Sequence, residues 1–179
     1  MPSFTKKAIF ESFLALASKK PLEKITVRDI VDHCGINRNT FYYHFQDIYA
    51  VFEGICEIGL SFARRDLPAS EMLSHLFLML TQQAAKHRRA TENLFASLGT
   101  DGIERYAAAR LDELIVCTAK NEFPACPELD LLLTAAFIRH AFLGLFADYI
   151  RHPDRLDATV FAAHVSRLVD GICKTLPNA

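Results

Sequence analysis

Glycine and proline are scarce in this 179-residue chain, with seven of each. That excludes a fibrous or loop-dominated protein. Charge of one sign is lacking too. Twenty Lys/Arg face 21 Asp/Glu, so the overall balance points to no particular partner. The five cysteines (Cys34, Cys56, Cys117, Cys126, Cys173) are odd in number and form no C-x-x-C pair. They do not fit a disulfide framework and fit reduced thiols in a cytoplasmic protein. Near the N-terminus no apolar run reaches signal-peptide length. The most apolar run, Leu129–Ile138, is followed by Arg139 and His140 and is too short to span a membrane. The expected location is the cytoplasm, with no membrane partner. Chemistry-bearing patterns are lacking as well. His33, His75, His87, His152 and His164 show no metal-ligand spacing with Cys or carboxylate. There is no Ser/His/Asp grouping, phosphate-cradling Gly loop or paired-carboxylate motif. The expectation is no metal, no cofactor and no enzyme activity.

What is present is apolar and helical. Hydrophobic residues make up 51% and charged residues 23%, which excludes disorder as the dominant state. Strand alternation and internal repeats are scarce, and apolar residues recur at helical spacing, which predicts an all-α chain of about nine helices. The first starts near Ser3 or Thr5 and ends before Pro21. Three short helices follow, at Thr26–Cys34, after Asn37, and from Asp47 to about Arg64. Beyond Pro68 the pattern gives helices at roughly 70–87, 91–98, 101–121, 127–152 and 156–176. The segment 127–152 is apolar over more than one stripe, so it is buried on more than one side. In that segment His140 reads as a core histidine satisfied by a partner. The expected division is a helix-turn-helix domain at 1–47 and a helical body at 48–179.

The informative stretch is Ile25–Val51, ITVRDIVDHCGINRNTFYYHFQDIYAV. Thr26 and Asp29 have the spacing of a capping box. Gly35 stands where a left-handed C′ residue ends the helix, and Asn37 is a good N-cap for the next. Two short helices joined by a tight Gly-containing turn form the helix-turn-helix pattern. Phe41 and Phe45, with Ile36 and Ile48, make the inward stripe. Arg38 and Tyr42 are four apart on another face, with Asn39 and Tyr43 four apart beside them. Together with Asn37, Thr40 and His44 they offer donors, acceptors and planar rings where a helix would enter a major groove. The first 50 residues carry seven Lys/Arg against five Asp/Glu, and the remainder thirteen against sixteen. A mildly basic head hints at an anionic partner there.

On these residues the segment resembles the TetR/AcrR family of transcription regulators. Thr26, Ile30, Gly35, Thr40, Phe41, Tyr42, His44 and Phe45 stand at the family's places, Ile36 and Val51 are apolar equivalents, and Asn37 replaces a common Ser. The run TFYYHFQDIYAV is similar to a subgroup that includes activators of dihydroxyacetone kinase operons. The chain departs from the pattern at Ile48, where the family usually has a phosphate-contacting Lys. Lys6, Lys7, Lys24 and Arg28 are the candidates to compensate, although Lys6 and Lys7 read equally as solvated helix ends. The resemblance implies a double-stranded DNA operator as partner. Thr26, Tyr42 and His44 would lie on phosphates, with Arg28 a candidate beside them, and Arg38, Asn39, Thr40 and Tyr43 would face the bases, with Asn37 among the DNA-binding candidates.

The body is expected to carry two tasks. Helices within 127–176 would pair with a second copy about a two-fold axis, giving a homodimer on a palindromic operator. In the family, a small-molecule effector sits among the middle helices and moves the helix that follows the DNA-binding head. Candidate lining residues are Phe62, His75, Met79, Phe95, Tyr106, Phe142 and Phe146, all of which also read as plain core. A body that binds a protein coactivator, or a helical enzyme, are the alternatives. Operator sequence, effector identity and the sense of regulation are not written in the sequence.

Overall fold

The structure, a computed structural model, describes residues 4–155 and 157–177. Among these residues it is all helical: α1 (Phe4–Ala17), α2 (Val27–Cys34), α3 (Arg38–His44), α4 (Ile48–Leu60), α5 (Ala69–Lys86), α6 (Arg88–Glu122), α7 (Glu128–Arg151) and α8 (Ala158–Cys173), with a single 3-10 turn at Leu22–Lys24. The expected start at Ser3 and the first residue of the expected helix 156–176 lie outside the described residues. The helices expected at 91–98 and 101–121 run together as α6, which is broken where Gly99 takes φ 65° and ψ 178°. A side chain disfavours that backbone, so Gly99 turns one long helix into two differently directed halves.

Two apolar clusters organise the chain. The first joins Ile9 and Phe13 of α1, Ile30 of α2, Phe41 and Phe45 around α3, and Val51 and Phe52 of α4. It also takes in Ala90, Leu94 and Ile103 from the first part of α6. This core runs past residue 47 into α4, across the division expected at 47/48. Polar contacts fasten the head to the same stretch of α6. The Leu22 N–H donates to Ser97 Oγ at 3.2 Å, and the Asn93 side-chain amide donates to the Ala17 carbonyl at 2.8 Å.

The second cluster fills the body. Leu73, Leu76 and Phe77 of α5 meet Leu111, Leu114 and Ile115 of α6, Ile138 and Phe142 of α7, and Val165 and Val169 of α8. The broadest helix pairings are α5 along α8 and α6 along α7. Phe77 is the hub: its ring stacks on Phe161 at 4.8 Å and takes edge contacts from Phe142, Phe146 and Tyr149. The start of α5, which has no side-chain cap of its own, is satisfied across the body where the Ala69 N–H donates to Glu122.

One expectation for the 127–152 segment is corrected. His140 is exposed, and Arg139 beside it is the buried polar residue. Arg139 Nε donates to Asp112 at 2.8 Å and its Nη1 donates to Glu104, both on α6. Burial works against the guanidinium charge, but the bonds and charges of Asp112 and Glu104 outweigh it and hold the pKa above its ordinary value. The helix expected at 127–152 is present as α7. α7 has 24 residues, with mean hydropathy 1.6 over its most apolar window, which is long and apolar enough to cross a membrane by length and composition alone. Its position explains part of that character, since Leu131, Ala135, Ile138, Phe142 and Leu143 face the core. Removing Arg139 would leave two carboxylates facing an apolar helix. Arg139→Ala is expected to lower unfolding free energy by about 2–4 kcal/mol, with Arg139→Met losing less, as read by urea denaturation.

Candidate nucleic-acid interface

The candidate interface is built on short helices that need help to stand. α2 has eight residues and α3 has seven, too short to persist alone in water. Their ends are therefore fastened with care. At the start of α2 the Asp29 N–H donates to Thr26 Oγ1 at 3.2 Å, and the Thr26 N–H donates back to Asp29 Oδ2 at 2.8 Å. The Thr26 hydroxyl also donates to Asp29, at 2.7 Å. Lys20 Nζ lies 2.8 Å from the same carboxylate. The bonds from Lys20 and Thr26 hold the Asp29 carboxyl down to about 2 from its ordinary 3.8. At the far end of α2, Gly35 has φ 71° and its N–H donates to Val31 O. Nothing lies near a Cβ built there, so glycine is required by the left-handed backbone and not by space.

α3 starts in the same manner. Asn37 Oδ1 accepts from the Thr40 N–H at 2.8 Å and from the Thr40 hydroxyl at 3.0 Å. Behind the helix Phe41 is fully buried and Phe45 nearly so. Phe45 meets Phe10 of α1 edge-on at 5.4 Å and Phe41 at 6.1 Å. α4 then opens with Asp47 as cap, accepting from the Ala50 N–H at 2.8 Å.

In front of the helix the side chains are open. Arg38 and Asn39 are exposed, and so are Tyr42 (54%) and Tyr43 (84%). Thr40 and His44 are half-buried, with the His44 ring 4.9 Å from that of Tyr43. Among the described residues no carboxylate pairs with Arg38. Arg28, on α2, is exposed and pairs loosely with Asp32 at 3.5 Å. Thus Arg38, Asn39, Tyr42 and Tyr43 form one solvent-facing row, with two phenylalanines anchoring the helix from behind. Thr26, Asn37 and Thr40 hold the frame of the motif through the capping bonds. Of the candidates to replace the family's Lys, Lys7 is 3.9 Å from Glu11 and Lys6 sits over the Phe45 ring at 5.6 Å. Ile48 itself is buried in the head core.

The effector candidates divide. A partly enclosed cavity of about 290 Å³ lies among α1, α4, α5, α6 and α7. Phe62, Phe95, Phe142 and Phe146 line it. His75, Met79 and Tyr106 do not. The wall at α5 and its C-cap is formed by Leu80, Gln83, Ala84 and His87. His75 Nδ1 is buried with no hydrogen-bond partner among the described residues. Tyr106 meets Phe52 edge-on at 5.3 Å, within the head core. The sequence reading missed Phe10 and Leu14 of α1, which also line the cavity, and its polar members Gln83, His87 and Thr91. The four-residue spacing of Gln83, His87 and Thr91 was the available signal. Among the described residues no His/Cys/carboxylate group is placed to hold a metal.

Comparison with known proteins agrees with this geometry. Residues 9–55 match the family model for bacterial regulatory proteins of the tetR family. No curated protein matches the chain by sequence. Several solved structures share the fold over nearly its whole length. One is the dihydroxyacetone kinase operon activator DhaS, with TM-score 0.70 and 16% identity, covering 98% of this chain and 99% of that one. Another is the fatty acid degradation regulator FadR from Bacillus halodurans, with TM-score 0.63 and 17% identity over all of both chains. A third is NalD, the secondary repressor of the MexAB-OprM multidrug efflux pump in Pseudomonas aeruginosa, with TM-score 0.59 and 24% identity over 96% of each.

A pH series tests the cap. Because Asp29 titrates lower when folded, its contribution is complete above about 4 and is lost as pH falls through about 2. Asp29→Asn is expected to cost about 1 kcal/mol at neutral pH, allowing for partial exposure. The gap from the parent in urea midpoints should narrow below about pH 4 and close near pH 2.

The capped α2–Gly35–α3 unit, the open row before two buried rings and the family match lead to one identification: residues 9–55 form a domain like that of the tetR family of bacterial regulatory proteins, on a chain that shares the fold of the solved structures named above.

Proposed function

We propose that the chain acts as a sequence-specific regulator of transcription, a homodimer on a palindromic operator whose affinity a small molecule adjusts. The observation that carries the reading is the exposed row Arg38, Asn39, Tyr42 and Tyr43 on a helix anchored by Phe41 and Phe45. α3 enters the major groove. Arg38 and Asn39 are suited to bidentate bonds with guanine and adenine, each good pair discriminating by roughly 1–3 kcal/mol. Thr40 and Tyr43 also face bases, while Tyr42, His44 and Arg28 lie on phosphates. Thr26 acts through the start of α2, where the Val27 and Arg28 N–H groups point outward and its own hydroxyl is held by Asp29. Asn37 presents its amide NH₂, since its carbonyl is held by Thr40. Such a protein works in the cytoplasm, and no step of this reading needs a cofactor or catalysis.

The dimer reading is supported by the uncovered side of the body. Leu129, Leu133 and Phe137 are 62–65% exposed at four-residue spacing along α7. Val160 and Leu168 continue an exposed apolar face on α8. Gly144 and Gly171 have open space where a side chain would stand, which admits close helix approach. Only 28% of α7's most apolar window is buried within the chain, so a second copy would account for the remainder. The two recognition helices would then stand about 34–36 Å apart, or a multiple of it.

The effector reading is supported by the cavity and by what its walls touch. Phe10 lines it and also meets Phe45, beside the recognition helix. α4 passes close by: a Cβ on Gly54 would come within 3.0 Å of the Phe10 ring. An occupant favouring one position of Phe10 and α4 would shift the population of DNA-competent heads.

Two measurements test these readings. In a selection from random duplexes the parent should yield a palindrome. Arg38→Ala should flatten the preference at one position of each half-site, and Arg28→Ala should weaken all sequences alike and lower the salt slope by about 0.9 per protomer. Unchanged binding in both variants would overturn the docking. For the dimer, Phe137→Asp should yield a monomer by sedimentation at micromolar concentration and lose cooperative operator binding. A parent that sediments as a monomer contradicts the interface.

A further inference from the structure

The cavity's chemistry narrows what it can hold. Its size comes first. A cavity of about 150 Å³ lined by apolar side chains holds a benzene. A volume of about 290 Å³ therefore suits about a dozen non-hydrogen atoms, at the small end of ligand sites. Its electrostatics come second. Among the described residues, no Lys, Arg, Asp or Glu lines it. An ionised ligand would lose its hydration with no counter-charge to replace it.

Its polar groups come third, and they sit together. Gln83, His87 and Thr91 follow one another at four-residue spacing where α5 passes into α6. The Thr91 hydroxyl donates to the His87 carbonyl at 3.2 Å. Among the described residues no protein group hydrogen-bonds to the Gln83 amide or the His87 ring. Burial, with Lys86 nearby, pushes the His87 pKa down. The imidazole is then uncharged at neutral pH, able to donate or accept but not to neutralise an anion. The rest of the lining includes Phe52, Phe95, Phe142 and Phe146, whose rings suit a flat apolar body.

We propose that the cavity takes an uncharged, mainly apolar molecule of about a dozen non-hydrogen atoms, with one hydroxyl or carbonyl directed at Gln83 and His87. The proposal rests on the reading of the chain as an effector-responsive regulator. It adds the class of effector: neutral aromatic or short aliphatic alcohols, phenols and carbonyl compounds, and not carboxylates, phosphates or amines in their ionised forms.

Three bicyclic probes of equal width test it on the full chain. Naphthalene carries no polar group, 2-naphthol carries a neutral hydroxyl, and 2-naphthoate carries a charge at neutral pH. Probe fluorescence and calorimetry should show 2-naphthol saturating at one per chain. Naphthalene should bind several-fold more weakly, and 2-naphthoate at least about tenfold more weakly. Gln83→Leu should remove the advantage of 2-naphthol over naphthalene. Ala107→Phe, which fills the cavity from α6, should abolish binding of all three. If that variant does not fold by circular dichroism, the Gln83→Leu comparison stands alone as the site test. Binding of 2-naphthoate as tight as that of 2-naphthol overturns the proposal. So does failure of all three to saturate, or indifference of 2-naphthol to Gln83→Leu. Duplex DNA binding, measured on the same preparation without probe, separates the two readings. DNA binding with the wrong probe order overturns the ligand class alone, whereas absent DNA binding overturns the regulator reading itself.

Discussion

Burial of Phe41 and Phe45 is the constraint on which the rest depends. A seven-residue helix cannot repay its own nucleation, so α3 exists because the head core holds it. That core is a chain of rings, Phe41 to Phe45 to Phe10, closed by Phe13 against Phe52. Once the two inward positions of α3 are fixed, helical geometry leaves Arg38, Asn39, Tyr42 and Tyr43 no direction but outward. Large aromatic side chains in water gain nothing for the fold. Two tyrosines beside an unpaired arginine on a helix this short make sense for a surface that meets another molecule.

The same economy governs the polar side of the head. Each N-terminal cap in the motif is a local bond between residues three apart: Thr26 with Asp29, Asn37 with Thr40, Asp47 with Ala50. Such bonds fix the backbone without drawing on the residues that face outward. They also reassign roles. The hydroxyls of Thr26 and Thr40 are donors already engaged within the motif, so what those residues offer a phosphate or base is an oriented backbone and a lone pair.

Much of this was legible in the sequence because it is local. The capping box, the glycine at the turn and the two-faced α3 all follow from spacings of three, four and seven, and each is present where the spacing placed it. The break at Gly99 was legible for the same reason. What could not be read is what depends on distant partners. Arg139 meets Glu104 and Asp112 across 35 and 27 positions, and nothing in the run RHAF tells which of Arg139 and His140 turns inward. The cavity wall on α5 was misplaced by a single helical step. Met79 and Leu80 are adjacent and both apolar, and only assembly decides which of them faces the cavity. Phe10 and Leu14 of α1 pack in the head, but the head's outer surface is also the body's inner wall.

That shared wall is the route by which the proposed effector would reach the recognition helix. Phe10 touches the cavity on one side and Phe45 on the other, and its ring is hemmed by α4 at Gly54. Close-packed rings do not deform smoothly; they move from one seating to another. An occupant that requires Phe10 in a new seating therefore requires a new position of Phe45, of α4, or of both. Either one would tilt α3 relative to the body. In a dimer, two such tilts change the separation of the recognition helices twice over, so a shift of a fraction of an ångström at each Phe10 is magnified by the distance from the cavity to the groove. Polar bonds between Leu22 and Ser97 and between Asn93 and Ala17 pin the C-terminal end of α1 to α6.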